Sequence, residues 1–142
     1  MRVHFKLEQV DDYPPAAVET VWTRPTDDGQ GYIVDNIPFF ITAATLDDHI
    51  SVSTDDEGQR WFLENLRASA NSLIRVVVFQ ENQLENVASA LRGLGCDVEI
   101  LASRCLMAVN VPSHVELGKV QDYLASEERR DLLDYEEPIL RQ

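Results

Sequence analysis

The chain has few of the residues that most catalytic and metal chemistry requires. Its 142 residues include two cysteines, Cys96 and Cys105, three histidines, His4, His49 and His114, and twelve lysines and arginines. The cysteines lack CxxC spacing and the histidines lack HxxxH or HxH spacing, so no zinc ligand set is expected. No GxxxxGKS/T or GxGxxG stretch occurs, which argues against a phosphate-cradling loop. Gly93-Leu94-Gly95 reads instead as the end of a helix. No apolar run approaches membrane-spanning length, and Met1-Arg2-Val3-His4-Phe5-Lys6 lacks the apolar centre of a signal peptide. Two isolated thiols, out of register with each other, suit a reducing compartment, so the expected location is cytoplasmic. No catalytic residue, metal or cofactor is expected.

Negative charge is abundant. Twenty-five acidic residues against twelve basic ones leave a net charge of -13. The excess runs through both halves, and neither half shows a basic stripe. Direct nucleic-acid binding and electrostatic attachment to a membrane are therefore not expected. A diffuse negative field keeps a chain in solution and accelerates encounter with a cationic partner.

Periodicity divides the chain near Leu73. Before it, short strands alternate with turns. Val3, Phe5 and Leu7 alternate with His4, Lys6 and Glu8 as in a half-buried strand. Further strands are expected at 17–23, 32–34, 39–43, 50–53 and 59–66. The turn-rich 25–31 stretch, the bend at Asp35-Asn36-Ile37-Pro38 and the hairpin turn Asp55-Asp56-Glu57-Gly58 separate them. From Leu73 the pattern is sharper. Leu73 to Phe79 is a β-branched run suited to a central strand. Leu84, Val87, Ala88, Leu91 and Leu94 recur at helical spacing, with Gly95 placed for a left-handed C-terminal cap. Strands at 96–101 and 105–111 follow. Ser113-His114-Val115-Glu116 has capping-box spacing before a helix carrying Leu117, Val120 and Leu124, and 133–139 supplies a last strand. The expected fold is α+β. An N-terminal antiparallel β meander or small barrel (1–72) packs with a C-terminal ferredoxin-like βαββαβ unit (73–142), and one continuous domain is equally compatible with the pattern.

Few constellations carry chemistry. Asp47-Asp48-His49 is the nearest to an acid–base cluster, and in an extended segment only Asp47 and His49 share a face. Its two readings are a solvated turn and a cross-fold site. The Asp55 turn lacks the ligand spacing of a calcium loop, because the twelfth position is Leu66. Arg75, inside an apolar strand, should pair with an acid or line a site. Phe39-Phe40 and Trp61-Phe62 each place neighbouring rings on opposite faces, so one of each pair either covers a sheet or anchors a partner. Tyr135-Glu136-Glu137 offers an acidic, aromatic edge.

Several stretches taken together carry a family likeness. They are Tyr13-Pro14-Pro15 with Val18-Glu19 and Trp22, Asp35-Asn36-Ile37-Pro38-Phe39-Phe40, Trp61-Phe62, Asn71-Ser72-Leu73-Ile74-Arg75-Val76, Leu94-Gly95-Cys96, and Tyr135-Glu136-Glu137. Their order and spacing resemble the uncharacterised bacterial family known as domain of unknown function 4265. The resemblance implies a bacterial, stand-alone, single-unit protein and assigns no activity to any residue.

The leading functional expectation is a non-catalytic acidic module that binds a basic protein, such as an immunity-type protein neutralising a cationic toxin or nuclease. Its expected contact groups are Asp47, Asp48, Asp55, Asp56, Glu57 and Trp61, with Tyr135, Glu136 and Glu137. The alternative is a small-molecule sensor that forms a homodimer through its ferredoxin-like half. An enzyme built around His49 or Arg75 is the third reading.

Overall fold

Alternation along the first strand sets the architecture. In β1 (Arg2–Lys6), Val3 and Phe5 are buried while Arg2 and Lys6 are exposed. A sheet that covers one side of every strand in this way can close on itself, and this one does. A computed structural model describes residues 1–142 as a mixed α+β chain with two sheets and two helices, in compact units Met1–Ser69 and Ala70–Gln142.

The first unit is a closed sheet in the order β1, β2 (Val18–Pro25), β3 (Tyr32–Val34), β4 (His49–Thr54), β5 (Arg60–Arg67). Successive strands are antiparallel, and β1 meets β5 in parallel through His4 and Trp61. Val3, Phe5, Val21, Val34, Ile41, Ala44 and Ile50 fill the interior, with Phe62 stacked on Phe5 at 4.5 Å. The expected strand at 39–43 does not form. Those residues are a loop, because Ile41 and Ala44 turn into the core and the backbone N–H groups of 39–41 bond to a side chain instead of a neighbouring strand.

The second unit runs β6 (Ser72–Val78), α1 (Leu84–Gly93), β7 (Asp97–Leu101), β8 (Leu106–Val111), α2 (Leu117–Arg129), β9 (Leu133–Ile139). Its sheet is antiparallel in the order β7-β8-β6-β9. Ile74, Val76 and Val78 share one apolar cluster with Met107, Val109 and Val111. Both helices contribute to it, α1 through Leu84, Val87, Ala88 and Leu91 and α2 through Val120 and Leu124. One sheet face therefore takes both amphipathic helices. No helix is long and apolar enough to cross a membrane. Both cysteines are free, and burial, with the neighbouring Asp97 carboxylate, pushes the Cys96 thiol up to about 11.

The two helix ends differ from each other in how well they follow the sequence. At the end of α1, Gly95 has φ +102°, its N–H reaches the Arg92 carbonyl at 2.9 Å, and the Cys96 N–H reaches Leu91 at 3.1 Å. This is a Schellman cap, which leaves the last carbonyls satisfied. The capping box expected at Ser113 is not formed. Glu116 takes the N-cap position with no side-chain cap bond, and Val115 donates to the Pro112 carbonyl at 3.0 Å in a preceding turn. Burial of Val115 in the core cluster explains the shift, because it draws 112–115 inward and delays the helix.

A Cβ at position 95 would lie 2.8 Å from Val115 Cγ2, whereas one at Gly93 meets nothing. Gly95→Ala should therefore cost about 2 kcal/mol or more through strain and collision. Gly93→Ala should stabilise by about 0.5 kcal/mol. Urea denaturation of both variants checks this contrast.

Candidate functional site

Closing a five-stranded sheet leaves a mouth at each end, and one mouth opens into a cleft of about 930 Å³. Its floor is the stacked Phe5–Phe62 pair. One wall is the Phe40–Ala43 loop with Pro14, and the opposite wall carries Lys6, Ser53, Asp55 and Trp61.

Glu19 holds the loop wall. It sits on β2 at an inward register position, in step with Val21 and Thr23, where an acid must find donors. Its Oε2 accepts the Phe39 N–H at 2.6 Å, and its Oε1 accepts those of Phe40 and Ile41 at 2.9 Å each. Three consecutive backbone donors on one carboxylate fix the loop as a strand partner would. The Phe40 ring meets Tyr13 edge-on at 6.1 Å, which ties the 9–14 segment to the same wall.

Asp55 holds the opposite wall. Its Oδ1 accepts the backbone N–H groups of Glu57 and Gln59, and its Oδ2 accepts the Trp61 indole N–H, each at 2.9 Å. The Trp61 bond first, then the backbone bonds from Gln59 and Glu57, hold the Asp55 carboxyl below the usual value of 3.8. The turn leaves Asp56 and Glu57 exposed beside the cleft as an acidic rim. Lys6 lies 5.7 Å from the Trp61 ring centroid and His4 lies 5.2 Å from it, so the indole is partly covered.

The expected contact residues do not converge on one place. Asp55 and Trp61 line the cleft, and Asp56 and Glu57 follow in its turn. Asp47 is exposed near Arg24, with 3.8 Å between carboxylate and guanidinium. Asp48 is not a contact group. It is fully buried and accepts the N–H groups of Thr45 (3.0 Å) and Ser69 (2.8 Å) and the Asn65 amide (2.8 Å), so its carboxyl group serves the loop interior. His49 borders a separate hollow of about 520 Å³ with Arg24, Asp28 and Arg67.

The Tyr135, Glu136, Glu137 group is not a single exposed patch. Tyr135 packs against the second unit's core. Glu136 faces Arg75 at 3.9 Å, and Glu137 accepts the Gln121 amide at 2.6 Å. No three His, Cys, Asp or Glu side chains gather as a metal site would need. Sequence reasoning missed Glu19, whose inward parity was the available signal. It also missed the exposure of Trp22 and Leu63.

Two measurements follow from these walls. Glu19→Ala should cost about 2–4 kcal/mol and abolish hydrogen-exchange protection at Phe39, Phe40 and Ile41, with Glu19→Gln intermediate. Retained protection in Glu19→Ala would contradict the clamp. For Asp55, the folded carboxyl titrates below the unfolded value, so its contribution to stability is complete above 3.8 and lost as pH falls through the lower folded value. The Trp61 indole N–H resonance should shift with a midpoint below 3.8, and Asp55→Asn should remove that step.

Comparison with known proteins bears on the fold and the family. The crystal structure of a hypothetical protein from Neisseria gonorrhoeae superposes with a TM-score of 0.81 at 19% identity, covering 99% of this chain and 95% of that one. At that identity the likeness is one of fold. Curated proteins give no match. The family model described as a domain of unknown function (DUF4265) matches residues 19–135, and the chain belongs to that family.

Proposed function

We propose that this protein is a non-catalytic acidic binding module of the cytoplasm that captures a basic segment of a partner protein in the barrel-mouth cleft. The most specific form of this reading is an immunity-type protein that neutralises a cationic bacterial toxin. The observation that carries it is the pairing of an aromatic cleft with an acidic rim. Phe40, Trp61 and Phe62 offer apolar and aromatic contact, while Asp56, Glu57 and Glu8 favour a cation beside it. The net charge of -13 steers a basic partner toward any such surface. On the same footing we read the second unit as ferredoxin-like, supported by its β-α-β-β-α-β order and β7-β8-β6-β9 sheet.

The cleft volume also admits a small ligand, which favours the sensor reading as the alternative. Affinity capture from native-host lysate at about 0.15 M and about 0.5 M salt separates the two. A stoichiometric basic protein should be retained at the higher salt. With that partner purified, Asp56→Lys/Glu57→Lys should weaken binding about tenfold, largely through slower association. Unchanged binding by the double variant would overturn the cleft reading. An empty capture, with melting temperature raised by a small metabolite, would favour the sensor.

A further inference from the structure

On the outer face of the barrel, β1 inverts the charge of the rest of the molecule. Arg2, His4 and Lys6 stand on the solvent side of β1, opposite Trp22, Thr20 and Val18 on β2, with Trp61 beside His4 on β5. Leu63 follows at a bulge of β5, between Phe62, which pairs with Val52, and Glu64, which pairs with Ser51. The outward β1 and β2 positions carry no carboxylate, while on the β5 side Asp55 accepts the Trp61 indole N–H at 2.9 Å and Glu64 is exposed. Arg2 and Lys6 form no ion pair. Arg2 lies 5.8 Å from the Trp22 ring centroid, and Lys6 lies over Trp61. His4 is fixed between them by hydrogen bonds to Thr20 and Gln59, both 2.7 Å. Trp22 is 59% exposed and Leu63 61%. Exposed tryptophan and leucine beside unpaired cations are the composition of a binding surface rather than of a solvated one.

We propose that this β2–β1–β5 face is a second docking surface, which takes an extended acidic segment of a partner protein with carboxylates at alternate positions. Charge complementarity fixes the sign, and strand geometry fixes the spacing. Side chains on one face of β1 repeat every ~6.7 Å, and an extended segment with Asp or Glu at every second residue has the same pitch. The segment docks through side chains and not by strand addition, because β1 is already paired on both sides within a closed sheet. A second copy related by a two-fold axis would set Arg2 and Lys6 against their own equivalents. A polyphosphate chain would use the cations but would leave Leu63 and Val18 without a role. This surface shares Lys6 and Trp61 with the edge of the cleft, whereas the proposed capture of a basic segment relies on the Asp56–Glu57 rim and leaves Arg2 and Trp22 unused.

The probe is a synthetic peptide of about nine residues in which Glu alternates with Thr, titrated into the full chain at about 0.15 M salt, where distant charges are screened within about 8 Å. Saturable shifts of the Trp22 and Trp61 indole resonances are expected. Binding should weaken about tenfold in Arg2→Glu/Lys6→Glu. Thr20→Glu, a single exposed change that adds a carboxylate opposite His4, should weaken it in the same direction. A peptide of equal charge with its Glu residues in one block should bind several-fold less well. The proposal is overturned if binding does not saturate, if both variants bind as the parent does, or if an oligothymidylate displaces the peptide at a lower concentration.

Discussion

The parallel pairing of β1 with β5 is the constraint on which the first unit rests. It closes the sheet, and closure forces every strand to give one face to the interior and the other to solvent. Val3 and Phe5 then belong to the core, while Arg2, His4 and Lys6 belong to the outside. The same division turns Glu19 inward with Val21 and Thr23. A carboxyl group in that position needs hydrogen-bond partners, and the Phe39–Ile41 backbone supplies them. The loop so fixed becomes a wall of the cleft. One closure thus sets the core, the clamp, the cleft and the outer cationic face.

Charge is distributed on this unit more finely than the total suggests. Asp48 and Asp55 are both acids in turns, yet one is buried among three donors and the other organises a hairpin at the surface. Neither is free to meet a partner with its full hydrogen-bonding capacity. Asp56 and Glu57, which take no part in fixing the turn through their side chains, carry the rim's accessible charge. A net charge of -13 therefore coexists with an outer strand face on which cations and exposed aromatic rings prevail.

Much of the fold was legible because it depends on local periodicity. The alternation in β1, the β-branched run of β6, the apolar stripes of both helices and the cap at Gly95 follow from side-chain parity and spacing alone. The misreadings share a different cause. Phe39 to Ala43 has the composition of a strand, but its backbone donors are taken by an acid twenty residues earlier. Ser113 to Glu116 has the spacing of a capping box, but burial of Val115 took precedence over the local cap. Asp48 looks like a surface acid beside Asp47, and only the tertiary positions of Asn65 and Ser69 reveal it as buried. The cationic face was invisible for a simpler reason. Arg2, His4 and Lys6 interleave with core residues, and their aromatic neighbours come from strands far away in the sequence.

The central claim is that the barrel mouth receives a basic, apolar segment. Its most direct test is amide-resolved shift mapping on the isotope-labelled full chain, titrated with a synthetic peptide that alternates lysine with leucine and proline. The account predicts saturable shifts confined to Lys6–Glu8, Phe40–Ala43 and Ser53–Phe62. Shifts centred instead on β9, or spread evenly over exposed acids without saturation, would contradict it.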